Sequence, residues 1–209
     1  ENESTSNFNY MKFAFNFCNN LKTIEIPFDS ELKKIGNGSF SETSIESLYI
    51  PSHFCEFENG WCFGTTNLKN ILISSENEKY KFINNQVLFE KSDVKIDKYD
   101  VIQFVRRDVK NFTIQSNITK IASSAFNRCQ KLKTIEFSKN SELKIIDKSA
   151  FVDTNIEKIR FPSSLTIIGE KAFCSLKIKI IEIPNDSELQ IIDNQAFENS
   201  LIKSIYIPS

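Results

Sequence analysis

His53 is the only histidine in the chain. It stands in a turn-like Pro51-Ser52-His53 stretch without a second base, nucleophile or metal ligand beside it. Triad chemistry needs a nucleophile, a base and an orienting group held together, so His53 reads as a surface turn residue. The five cysteines lack the paired C-x-x-C spacing of a zinc or redox site. Cys18 and Cys129 each stand three residues after a phenylalanine at equivalent positions, which suits small buried hydrophobes. Cys55 and Cys62 could bridge in an oxidising compartment, although the odd total favours thiols. Gly36-Asn37-Gly38 lacks the lysine and the strand–loop–helix setting of a phosphate loop, so it reads as a turn. Sequons at Asn2, Asn37, Asn111, Asn117 and Asn185 could take N-glycans on a secretory route. These residues predict a non-enzymatic protein with no catalytic residues, no metal and no cofactor.

Charge narrows the partners. With 26 basic and 27 acidic residues among 209, the net charge is -1. A nucleic-acid binder or an anionic-lipid binder would show a basic excess. No apolar run reaches the ~18 residues that cross a bilayer. The chain begins at Glu1 without an initiator Met, which reads as a mature or excised segment, and ends at Ser209 just after a strand pattern. Polar caps normally cover the end repeats of a solenoid, and neither the polar stretch 1–12 nor the C-terminus supplies one. The expectation is a segment of a longer protein, or one whose ends another chain covers.

The elements that would position any partner-binding residue follow from a repeat. There are 19 Phe against 1 Trp and 1 Met, with 5 Gly and 5 Pro. The Phe residues fall at a fixed phase: Ala14-Phe15, Ser39-Phe40, Cys62-Phe63, Ala125-Phe126, Ala150-Phe151, Ala172-Phe173 and Ala196-Phe197. The period is roughly 24 residues, within the range of leucine-rich repeats, with one long interval after Phe63. Each unit adds an apolar-x-apolar strand signal, usually followed by Pro: 24–26, 48–50, 71–73, 112–114, 135–137, 159–161, 181–183 and 205–207. Period-two alternation puts the flanking residues inside and the middle one outside. Proline has no N–H to donate and ends the ladder. An L-x-x-I element follows (Leu32/Ile35, Ile118/Ile121, Leu143/Ile146, Leu165/Ile168, Leu189/Ile192), and the short Ala-Phe segment suits a single helical or 3₁₀ turn. Stacking such units aligns the phenylalanines in a column.

The fold class expected is an α/β solenoid. It would be a leucine-rich-repeat horseshoe with a parallel sheet on the concave face, short helical or 3₁₀ turns opposite, and one inserted β-hairpin. Residues 1–209 form one solenoid domain in this reading, with an irregular repeat over about 74–114. There, Asn84-Asn85 between apolar runs predicts a two-residue hairpin turn, because Asn tolerates positive φ. An interdomain linker is the alternative, but the stretch is too apolar and β-branched for one.

The outward middle residues of the strands are the predicted partner-binding set: Glu25, Tyr49, Leu72, Thr113, Glu136, Arg160, Glu182 and Tyr206. Flanking them are Thr23, Ser47, Asn70, Asn111, Thr134, Lys158, Ile180 and Ser204. Tyr and Arg are enriched at binding hot spots. A merely solvated sheet face is the competing reading.

The skeleton L-x-x-I-x-x-x-A-F-x-x-C-x-x-L-x-x-I-x-I-P resembles the BspA-like, or Treponema-type, leucine-rich repeats. Ile118 to Phe137 carry it almost completely, and Leu32 to Pro51 carry it with Ser39 in place of Ala. The resemblance implies a cell-surface or extracellular protein that binds a host-cell or matrix protein, or another copy of itself. The alternative is an intracellular, cytoplasmic scaffold or structural component. The abundance of Asn, Lys and Ile leans toward a protist source.

Overall fold

The computed structural model describes residues 10–208. Residues 1–9 of the polar leading stretch, with the Asn2 sequon, lie outside them, as does Ser209. The chain divides into two compact units at Lys79/Tyr80.

The first unit holds β1 (Tyr10–Met11), β2 (Lys34–Ile35), β3 (Ser47–Ile50), β4 (Glu56–Phe57) and β5 (Asn70–Ile73). Strands β1, β2 and β4 form one parallel sheet, and β3 pairs with β5 in another. The second unit holds β6 (Tyr80–Ile83), β7 (Val87–Glu90), β8 (Val101–Val105), β9 (Asn111–Ile114), β10 (Lys120–Ile121) and β11 (Thr134–Phe137). It continues with β12 (Ile145–Ile146), β13 (Lys158–Arg160), β14 (Ile167–Ile168), β15 (Ile180–Glu182) and β16 (Ile191–Ile192).

Each coil of the second unit uses two strands and a turn. The apolar-x-apolar strands pair in twos, β9 with β11 and β13 with β15, all parallel. The continuous sheet is built elsewhere, from four L-x-x-I segments and the three strands of the irregular repeat. It has seven strands in the order β16-β14-β12-β10-β8-β7-β6, and Ile102, Ile121, Ile146, Ile168 and Ile192 follow one another in register across it. This second strand of the coil was not anticipated. The predicted strands at 24–26 and 205–207 carry no ladder. Elsewhere the alternation holds: Leu48 and Ile50 are buried around Tyr49, and Ile159 and Phe161 around Arg160.

The Ala-Phe segments are not helical, and the described residues contain no helix. The expected helical or 3₁₀ turns are therefore replaced by a β-solenoid corner. Backbone bonds of 3₁₀ spacing do occur, such as Asn127 N–H to Ser124 O (3.1 Å) and Cys129 N–H to Phe126 O (3.0 Å). Left-handed residues interrupt them, two before and two after the Phe. They are Ser124 and Arg128, Ser149 and Asp153, Lys171 and Ser175, Gln195 and Asn199. Each reverses the chain direction before a helical turn can propagate. Alternate N–H groups are thereby turned toward the next coil. Phe126 donates to Ala150 O, Phe151 to Ala172 O and Phe173 to Ala196 O, at 2.7–2.8 Å.

The same bonds correct the repeat phase. Phe40 N–H donates to Trp61 O, and Gly60 and Gly64 hold the left-handed positions. Trp61-Cys62 therefore fills the Ala-Phe slot, rather than Cys62-Phe63. Trp61 and Cys62 are fully buried. In the irregular repeat Val105 takes the Phe slot, donating to Ala125 O.

The phenylalanines stack as expected. Ring centroids lie 4.7 Å apart for Phe126–Phe151, 5.0 Å for Phe151–Phe173 and 5.4 Å for Phe173–Phe197, with interplanar angles of 15°, 6° and 11°. In the first unit Phe15 stacks on Phe40 at 5.7 Å. A buried Phe contributes ~1.5–3 kcal/mol by transfer alone.

The hairpin is β6–β7, antiparallel. Asn84 and Asn85 both have positive φ (53° and 49°), and Gln86 N–H donates to Ile83 O at 3.0 Å. The ladder pairs Ile83 with Val87, so three residues rather than two separate the paired positions. A bulge at Leu88/Phe89 then re-registers β7 on β8. The following loop is tied down by Asp100. Its carboxylate accepts from Ser92 N–H (2.9 Å), Ser92 Oγ (2.7 Å) and Thr119 Oγ1 (3.0 Å). Burial pushes this carboxyl up, but the donors outweigh it and hold it below the usual range.

No disulfide joins the five cysteines. Cys129 is buried as expected, whereas Cys18 is exposed. Its turn reproduces the motif but does not enclose the thiol. Cys62 is buried and Cys55 exposed, so the two face different environments.

Candidate functional site

The predicted contact residues belong to both units. In the first unit, Tyr49 and Leu72 are direct partners across β3 and β5. Leu72 is exposed, and the Phe28 ring meets Tyr49 edge-on at 5.0 Å. Glu25 is exposed but lies outside any strand. Phe28, 83% exposed, adds an apolar contact that the strand rule missed; its only sequence signal is a Phe set in a turn after Pro27.

In the second unit, Thr113 pairs with Glu136 across β9 and β11, and Arg160 with Glu182 across β13 and β15. Tyr206 is exposed and stands outside any strand. Glu182 is also bonded by Lys158, Nζ to Oε1 at 2.6 Å. That hydrogen bond holds its carboxyl below the usual range. Arg160 is exposed and makes no ion pair among the described residues.

Glu136 and Arg160 share a groove of about 520 Å³ beyond the ends of β11, β13 and β15. Its walls are Phe137, Phe161, Pro162 and Pro184, with Asp186 at one side. Strand alternation faces Glu136 and Arg160 outward, and the prolines that stop the strands build the rim. Sequence reasoning found the two charged residues but not the apolar rim, although the recurrent post-strand Pro was its signal. No group of His, Cys, Asp and Glu among the described residues could hold a metal ion. Among the described residues no helix is long and apolar enough to cross a membrane.

The arrangement offers a surface and a shallow groove rather than an enclosed reaction centre. No curated protein sequence matches the chain. The fold is similar to three bacterial structures, all at identities that speak to the fold alone. Pneumococcal vaccine antigen PcpA matches at 20% identity and TM-score 0.68, covering 93% of this chain and 55% of PcpA. A leucine-rich repeat protein from Eubacterium ventriosum matches at 18% and 0.64, covering 91% and 68%. A protein from Faecalibacterium prausnitzii, described as a leucine rich cell surface protein, matches at 19% and 0.55, covering 92% and 62%. The chain thus spans about half the length of PcpA. These relatives lend no support to a protist source. The BspA type leucine rich repeat region (6 copies) matches over residues 6–99 and 95–209. Leucine-rich repeat proteins typically bind other proteins. With the recurring coil, its phenylalanine corner and a match over nearly all its length, the chain belongs to the BspA-type leucine-rich repeat family.

Proposed function

We propose that this protein is a non-enzymatic protein–protein interaction module that works at a cell surface or outside the cell. It would bind a host-cell or matrix protein, or a second copy of itself, on its outward strand residues. The observation that carries this reading is the groove holding Glu136 and Arg160 above Phe137, Pro162 and Pro184. An exposed guanidinium outside any ion pair can take a carboxylate in bidentate fashion, and the rings beside it supply apolar anchoring. Thr113, Glu182 and Tyr206 belong to the same proposed set in the second unit, and Glu25, Tyr49 and Leu72 in the first. The relative described as a cell surface protein supports the location. The test is adhesion of the protein to epithelial cells and to immobilised matrix preparations, comparing Arg160→Glu with the exposed Lys131→Glu. Loss of about tenfold or more for Arg160→Glu alone is expected, as for a hot-spot arginine. Equal binding by all three proteins would remove the groove from the site.

A second reading, an intracellular scaffold, is favoured by the absence of any disulfide among five cysteines. Intact mass of native protein, with and without glycosidase and reductant, separates the two. Removable glycan mass speaks for the secretory route, and an unmodified mass speaks for the scaffold.

A further inference from the structure

A second recess in the same unit has a different chemistry. It lies between the β6–β7 hairpin and β9 and measures about 480 Å³, within the ~300–1,000 Å³ of small-molecule sites. Its lining is rich in side-chain amides, namely Asn84, Gln86, Asn111, Gln115 and Asn117, joined by the Thr113 hydroxyl. Its apolar part comes from Phe112, Tyr99 and the hairpin residues Val87 and Phe89.

Two of the amides are held in fixed orientation. Asn117 Nδ2 donates to Tyr99 O at 2.9 Å, which leaves its Oδ1 as an acceptor. Asn111 Oδ1 accepts from Thr134 Oγ1 at 2.7 Å, which leaves its Nδ2 as a donor. Phe112 is fixed edge-on against the buried Phe126 ring at 5.1 Å. The Lys91 ammonium stands 5.1 Å from the Tyr99 ring centroid. The charged residues of the lining each stand in an ion pair at the surface, Asp97 with Lys91 at 3.0 Å and Lys98 with Glu142 at 2.5 Å.

A site of this kind suits a neutral ligand whose groups both donate and accept, and which has an apolar face to lay on a ring. Amides supply both hydrogen-bonding roles without a net charge, and aromatic rings cover C–H surfaces. We propose that this recess is a saccharide-binding site, taking a neutral mono- or disaccharide unit between the hairpin and β9. It is separate from the groove at Arg160 and does not depend on the protein-binding reading. Asn111 and Asn117 are also sequons.

The test uses the full chain made in a bacterial host, so that neither asparagine is glycosylated. Chitobiose, lactose and mannobiose are titrated to millimolar concentration with ¹H–¹⁵N NMR as the readout, and sodium phosphate and acetate serve as ionic controls. Amide resonances of Tyr99, Phe112, Thr113 and Gln115 are expected to shift with at least one disaccharide. Gln115→Ala, on an exposed residue, and Asn117→Ala should each weaken that binding by about tenfold, the order of one lost hydrogen bond to a preorganised partner. The proposal is overturned if no disaccharide shifts these resonances. It also fails if both variants bind unchanged, or if phosphate or acetate produces the same shifts as strongly.

Discussion

At the residue scale, the phenylalanine corner concentrates the packing. Phe151 is fully buried and stacked on both sides, by Phe126 and Phe173. Phe151→Ala should cost about 3–5 kcal/mol, read as a lower urea midpoint with loss of amide protection in the adjoining coils. The repeated Phe was plain in the sequence because its spacing barely varies. Where the slot is filled by Cys62 or Val105, the residue type gives no signal and only the backbone bonds show the phase. Asp100 carries a pH-dependent contribution. Its folded carboxyl is held below the unfolded value, so its stabilisation is present above about pH 4, the ordinary aspartate range. It is lost as pH falls through the lower folded value. Asp100→Asn should therefore lower the urea midpoint at neutral pH and flatten its fall in acid. Equal acid limbs in the two proteins would show that the Ser92 and Thr119 bonds contribute nothing. Cysteine behaviour follows exposure in the same way. Burial pushes the Cys129 thiol up, ahead of the lowering influence of Arg107. Cys18 and Cys55 should react with an aromatic disulfide reagent in the native state, and Cys62, Cys129 and Cys174 only on unfolding, as peptide mapping would show.

At the element scale, close approach of successive coils sets the tolerance to change. A Cβ added at Gly169 would meet backbone of the preceding coil, Lys148 N at 2.8 Å and Asp147 C at 2.9 Å. Gly169→Ala should cost about 1–3 kcal/mol through this overpacking, measurable by urea denaturation. Gly60 is a contrast, since its added Cβ would meet only Asn37 Oδ1 at 3.9 Å. Its positive φ alone makes a substitution costly there. The apolar-x-apolar strands were legible because they alternate over several residues. Outside the irregular repeat, the second strand of the coil is two residues long and follows an apolar spacing of three, the spacing of a helical face. Sequence periodicity therefore left this element unassigned, and it took neighbouring coils to show Ile121, Ile146 and Ile168 as a ladder.

At the scale of the whole molecule, the coil-to-coil ion pairs are a surface feature. Lys144–Glu188, Lys148–Glu170 and Lys158–Glu182 lie at 2.6–2.7 Å, with side chains between 36% and 58% exposed. Exposed pairs contribute ~0–1 kcal/mol each and are screened by salt. Raising sodium chloride tenfold should shift the urea midpoint far less than Phe151→Ala does. A comparable shift would mean that the ladder of charges, and not the Phe column, holds the coils together. Strand alternation placed Tyr49, Leu72, Thr113, Glu136, Arg160 and Glu182 at the middle strand positions, whereas Glu25 and Tyr206 stand outside any strand. The two recesses could not be named in advance, because each is made by residues distant in sequence. One needs the post-strand prolines of neighbouring coils, and the other needs the hairpin set against β9.

The register of the long ladder also bears on how such a gene can change. Ile146 and Ile168 are exact positional equivalents in adjacent strands β12 and β14, and each coil hands the same donors and acceptors to the next. Excising residues 147–168 would join Ile146 directly to Gly169, leaving the same corner sequence and the same exposed carbonyls for the coil that follows. Unequal recombination between repeats can thus add or remove a coil without disturbing the junction. Lineages that vary in coil number would keep their core while changing how much strand face they present.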